Sequence, residues 1–129
     1  VRHPELTTFC MELTGIQQAD VATALLYPAV IGELNNWLSG FDDYLFCSWG
    51  DYDRGQFQQD CAFHRVPYPF ASAHLNLKAE FSRTMGLSKK LGMAAAIRHL
   101  GLKLEGTHHR GIDDAKNMAR IVRRVCCGS

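Results

Sequence analysis

Tyr44-Leu-Phe-Cys-Ser-Trp-Gly-Asp-Tyr-Asp53 decides the fold class of this chain. Its first six residues, Tyr44–Trp49, form a short aromatic and apolar run bounded by turn-prone residues, which predicts a buried strand. A helix is expected from about Arg54 to His64, with Asp53, Phe57, Cys61 and His64 on one stripe. Arg65–Ala73, with Pro67 and Pro69, is a loop, and His74-Leu-Asn-Leu77 is a weaker strand. Strands alternating with helices indicate an α/β layer.

Helical patterns flank this segment on both sides. Upstream, Pro4 opens a helix with Leu6, Phe9, Cys10 and Leu13 on one face, stopped by Thr14-Gly15. A short helix is expected near Gln18–Thr23. Pro28 opens a stronger one carrying Val30, Ile31, Leu34, Trp37 and Leu38 and ending at Ser39-Gly40. Downstream, helices are expected at about Lys78–Met85, Gly92–Leu100 and Ile112–Val125. Two short strands do not make an independently stable sheet, and Val1 stands directly before a helix. The expectation is an α/β domain lacking its first strands, with residues 1–129 as the C-terminal two-thirds of a single domain.

Hydrophobic residues at 47% and charged residues at 21% are ordinary globular values. No apolar run approaches the roughly 18 residues of a membrane helix, so no membrane partner is expected. The five cysteines are odd in number and contain no CxxC, which favours a reduced, cytoplasmic protein. The net charge of +1 conceals an asymmetry. Residues 1–60 carry nine acids and two Lys/Arg (net −7), and residues 61–129 carry four acids and twelve Lys/Arg (net +8). A basic half favours an anionic partner such as nucleic acid; the alternative is that the charges neutralise each other in the fold or solvate separate faces.

Two acids stand at element ends. In the last helix, Met118, Ile121, Val122 and Val125 define an apolar stripe on which Asp114 falls, while Asp113 aligns with Asn117, Arg120 and Arg124 on the polar side. A carboxylate aimed inward needs a partner, and a metal ion is one. Helix-dipole complementarity is the other reading, since acids suit a first turn. Asp53 lies where a strand turns into a helix, a favoured place for ligand groups in open α/β sheets. It also reads as an N-cap, with Gln56 three residues on completing a capping box. His109, five residues before Asp114 across Gly111, is a proton acceptor or an exposed loop residue. His108-His109 has no further ligand at a zinc spacing, which argues against zinc.

Taken together, Phe46-Cys-Ser-Trp-Gly-Asp-Tyr-Asp53, Leu87-Ser-Lys-Lys-Leu-Gly-Met93 and Gly106-Thr-His-His-Arg-Gly-Ile-Asp-Asp-Ala-Lys-Asn-Met-Ala-Arg120 resemble DEDDh 3′–5′ exonucleases. The resemblance is to the group containing the histone-mRNA 3′-end exonuclease and RNA-interference regulators, and His3–Gly15 matches the segment after that group's third strand. It implies an RNase H-like fold, a mixed sheet flanked by helices. It also implies a two-ion Mg²⁺ or Mn²⁺ site of four acids and one histidine, the ions about 3.5–4 Å apart. Asp53 and Asp114 match two of the acids, and His109 matches the general base. The other two acids belong to an Asp-x-Glu on the first strand, and no Asp-x-Glu occurs in these residues. Tyr52 matches an aromatic position near the nucleotide, where stacking contributes about 1–3 kcal/mol per base. Arg110 is a candidate phosphate contact, as are Arg83, Lys89 and Lys90.

The resemblance therefore implies an enzyme that releases nucleoside 5′-monophosphates from single-stranded 3′ ends, with RNA favoured over DNA. The alternative is a non-catalytic nucleic-acid- or protein-binding module without the first-strand ligands.

Overall fold

A computed structural model describes residues 3–128. In chain order the elements are α1 (Thr8–Thr14), α2 (Gln18–Ala22), α3 (Tyr27–Leu38), β1 (Phe46–Ser48), α4 (Tyr52–His64), β2 (His74–Asn76), α5 (Leu77–Thr84), α6 (Met93–His99) and α7 (Gly111–Cys127). No helix among the described residues is long and apolar enough to cross a membrane. The chain divides into two compact units, one of Leu25–Glu80 and one of the residues up to Ala24 and from Phe81 onward.

The Leu25–Glu80 unit is a strand–helix–strand motif with α3 before it. β1 and β2 pair in parallel, with Phe46 opposite His74, Cys47 opposite Leu75 and Ser48 opposite Asn76. A parallel pair needs a crossover, and α4 provides it. Both strands are shorter than the sequence pattern indicates. β1 was expected to be buried over Tyr44–Trp49, yet only Ser48 is buried, and Tyr44 and Leu45 are exposed. Its length is set by three-residue β2, which stops because the Asn76 side chain accepts from the Ala79 N–H at 3.0 Å and starts α5. That bond satisfies one of the donors a helix start leaves open.

Phe46 stacks on Phe70 (centroids 4.1 Å apart) and both rings meet the edge of Phe57 on α4. Ile31, Leu38, Cys61 and Leu77 are the buried apolar residues. Tyr27 stacks on His64 at 5.0 Å, and its hydroxyl lies 3.3 Å from the Cys61 sulfur. Burial first, then the Cys61 hydrogen bond, pushes the Tyr27 pKa well above the phenolic range.

In the second unit α6 and α7 pack together, and Phe81, Met93, Ala96, Ile97 and Ile121 are buried. α1 starts four residues after Pro4. The Gln18 side chain donates to the Pro4 carbonyl (2.8 Å) and accepts from the Leu6 N–H (2.7 Å), which keeps those residues out of the helix. Thr7 is the N-cap, accepting from the Cys10 N–H at 3.1 Å. α7 runs to Cys127, with Gly128 in the left-handed conformation as its stop.

Asn117 departs most from the sequence reading. Periodicity puts it on the polar face of α7, yet it is fully buried. Its amide donates to the Glu105 carbonyl (2.8 Å) and accepts from the Glu105 N–H (3.1 Å), so one side chain replaces a strand partner for the segment before the final loop. An amide so satisfied can occupy a core position. Asn117→Ala removes these bonds and opens a cavity. It should cost about 2–3 kcal/mol of unfolding free energy, read from the urea midpoint. An unchanged midpoint would show that the pairing carries no stability.

Candidate active site

The second unit places a histidine–carboxylate cluster at the start of α7. The loop before it turns at Gly106, where φ is +71°. A Cβ there would overlap the Asp113 carboxylate, whose Oδ2 accepts from the Thr107 N–H at 2.9 Å. Asp113 thus pins the start of the loop at Thr107, and Asp114 meets its last two residues, His108 and His109. The Arg110 carbonyl accepts the Asp114 N–H at 2.9 Å, with Arg110 itself at the N-cap position of α7.

His109 is one of two non-glycine residues with positive φ among the described residues, at +71°. Such a conformation is sparsely populated and is retained where the surroundings enforce it. It turns the His109 N–H onto the Asp114 carboxylate, 3.1 Å from Oδ2 and 3.3 Å from Oδ1. The His108 ring brings Nδ1 to 2.9 Å from Asp114 Oδ1 and stacks on the His109 ring with centroids 3.9 Å apart. The ligand atoms of His108, His109 and Asp114 all lie within 4.8 Å of one another. Nothing in the residue pattern brings both histidines to one point; the backbone turn at His109 does so.

The Leu25–Glu80 unit places Asp53 in the first turn of α4 with its carboxylate exposed and no hydrogen-bond partner among the described residues. The capping box does not form. Asp51 occupies the N-cap position, and Gln56 turns to Asp60 at 3.0 Å. Asp51 is the structural acid of this turn, holding Asn76 on β2 (3.0 Å) and Arg54 (3.2 Å). Asp53 instead borders a concavity of about 170 Å³ with Tyr27, Tyr52, Gln56, Phe57 and Asp60. Tyr52 is 77% exposed, which leaves its ring free to stack on a ligand.

His74 was not singled out by the sequence. Its buried side chain places Nε2 2.7 Å from Ser48 Oγ and Nδ1 3.7 Å from Asp51. Ser48, His74 and Asp51 stand in the order of a hydrolytic triad, but the serine is buried and its hydroxyl donates to the Gly50 carbonyl at 2.8 Å. The group ties β1 to β2.

Both candidate ligands suit a hard divalent ion, which takes oxygen donors. Asp53 has no competing partner, and Asp114 Oδ2 receives only a backbone N–H among the described residues.

The model of the exonuclease family (RNase_T) matches residues 1–122. The chain belongs to this family. It is 34% identical to human ERI1 exoribonuclease 3, covering 97% of this chain and 40% of that protein. It is 27% identical to the probable 3′-5′ exonuclease KapD of Bacillus subtilis, covering 96% and 60%. Among solved structures, the nuclease domain of 3′hExo, a DEDDh family member bound to rAMP, matches with a TM-score of 0.86 at 29% identity, covering 96% of this chain and 66% of that one. A 3′-exonuclease solved in 3′-end-specific recognition of a histone mRNA stem-loop matches with a TM-score of 0.86 at 28% identity, covering 96% and 59%. The fold is therefore the RNase H-like exonuclease fold, and the chain spans 40% of the length of the first of these relatives.

Proposed function

We propose that this chain forms part of a divalent-metal-dependent 3′–5′ exoribonuclease that releases nucleoside 5′-monophosphates from single-stranded 3′ ends. The observation that carries the reading is the Asp114 carboxylate gripped by His108 and the His109 N–H at the start of α7, in a chain of the exonuclease family. Asp114 and Asp53 act as ion ligands. Mg²⁺ or Mn²⁺ bound through each carboxylate would activate water and stabilise the leaving 3′-oxygen. His109, on a solvent-facing loop, takes the proton of the attacking water. Tyr52 stacks on the terminal base and Arg110 contacts phosphate.

A second reading is a binding module without turnover, in which the net +8 of residues 61–129 holds an anionic strand. Product analysis separates the two. A longer chain that includes an Asp-x-Glu strand, given 5′-labelled single-stranded RNA and Mg²⁺, should shorten it stepwise and yield 5′-mononucleotides. Chelation should stop this, and the 129 residues alone should turn over poorly or not at all. RNA bound but intact in the longer chain would establish the binding module instead. Robust turnover by the 129 residues would show that the first-strand acids are dispensable.

A further inference from the structure

α7 carries a second feature that the reaction does not use. Its later turns and Leu102 border a cavity of about 410 Å³ lined by Leu102, Arg120, Arg123 and Arg124. Arg120 is held in place: it donates to the Lys103 carbonyl at 2.8 Å and to Asn117 Oδ1 at 3.0 Å, and pairs with Glu105 at 3.1 Å. Arg123 and Arg124 are exposed and have no side-chain partner among the described residues. Lys103 is exposed beside them, and Glu105 is the carboxylate that faces the group. Three guanidinium groups against one acid make a strongly cationic cleft, and half-buried Leu102 gives it an apolar floor.

We propose that this cleft binds the phosphodiester backbone of a single-stranded RNA, 5′ of the end being processed. The inference rests on the exoribonuclease reading for the identity of the strand. Planar guanidinium forks match phosphate oxygens in two-point contacts and stack on bases. Arg120 is pre-oriented by its three bonds, so less order is lost when it binds. Arg120–Arg124 lie six to ten residues beyond Asp114, about 9–15 Å along the helix axis. Arg123 and Arg124 lie on other faces of α7 than Asp114, so the strand passes round the helix to reach them, a path of several nucleotides. The cleft also gives the basic half of the chain a use that neutralisation by the acidic half would not.

The test is fluorescence anisotropy of a 5′-labelled single-stranded RNA of about 12 nucleotides, with the longer chain in EDTA so that nothing is hydrolysed. Arg123→Glu/Arg124→Glu should weaken binding about tenfold or more and flatten the salt dependence by about 1.4 in log–log slope, two contacts at about 0.7 each. Arg123→Lys/Arg124→Lys should keep most of the slope. With Mg²⁺, the Glu variant should raise KM for the long RNA while its kcat, and its turnover of a dinucleotide too short to reach the cleft, stay the same. Unchanged RNA affinity in the Glu variant would overturn the proposal, as would an equal loss on the dinucleotide. Calorimetry with inorganic pyrophosphate separates the sources: if the Glu variant loses pyrophosphate but not RNA, the cleft is a small-anion site and the RNA proposal is wrong. RNA binding through the cleft without any hydrolysis would sink the exonuclease reading and leave this one standing.

Discussion

Asp114→Asn should lower single-stranded RNA hydrolysis by about 10³-fold or more, in a chain that supplies the Asp-x-Glu strand, and leave the fold intact. The size follows from removing a fixed charge that stabilises charge developing in the transition state. The folded state should tolerate the change because the amide keeps an oxygen toward the His109 N–H, which the carboxylate now holds at 3.1 Å. Asp113→Asn is the informative comparison. Asp113 accepts from the Thr107 N–H, and an amide oxygen does the same, so turnover should change little. The two variants differ by one position on one helix and remove the same charge. Equal losses of turnover would mean that net charge at the α7 start matters and that Asp114 holds no ion.

Removing the His109 imidazole should lower the chemical step by about 10²–10⁴-fold, the usual contribution of a general base, with RNA affinity nearly unchanged. The backbone decides which substitution is clean. His109 sits at φ +71°, a conformation that asparagine tolerates and alanine resists. His109→Asn therefore removes the base and preserves the turn that aims its N–H at Asp114. His109→Ala risks moving the loop as well. His108→Ala should act differently, because His108 touches the Asp114 carboxylate through Nδ1 at 2.9 Å. It should raise the Mg²⁺ or Mn²⁺ concentration needed for half-maximal rate, and saturating metal should restore most of the rate. Single-turnover cleavage of 3′-labelled RNA over a metal titration reads both effects. A His109→Asn enzyme at full rate, or one impaired only in binding, would remove that histidine from the mechanism.

The strand–helix–strand core was legible in the sequence because local signals set it. Tyr44–Trp49 is aromatic and bounded by turn residues, α4 follows a polar turn, and prolines mark the loop before β2. These signals locate an element to within a few residues and identify its type, since period and turn chemistry act over short range. The likeness of the chain to the exonuclease family was legible for the same reason, and the family match over residues 1–122 bears it out.

What the sequence could not assign was the task of each side chain inside those elements. Asn117 lies on the polar stripe of α7 by periodicity but is fully buried, because the Glu105 backbone supplies both halves of its amide pairing from twelve residues away. Asp51 and Asp53 are two residues apart, and only the presence of Asn76 on β2 makes Asp51 the structural acid and leaves Asp53 free. Likewise, the turn at His109 brings the His108 ring onto Asp114, whereas the pattern gave His108 no role. The sequence by itself determined the element types, the family and the candidate acids, because these follow from short-range pattern. Only the tertiary structure decided which protein groups each acid meets: Asn76 and Arg54 at Asp51, Thr107 at Asp113, and His108 and His109 at Asp114. That choice depends on hydrogen-bond partners brought in by other elements, and a buried or half-buried polar group takes whichever partner the fold supplies.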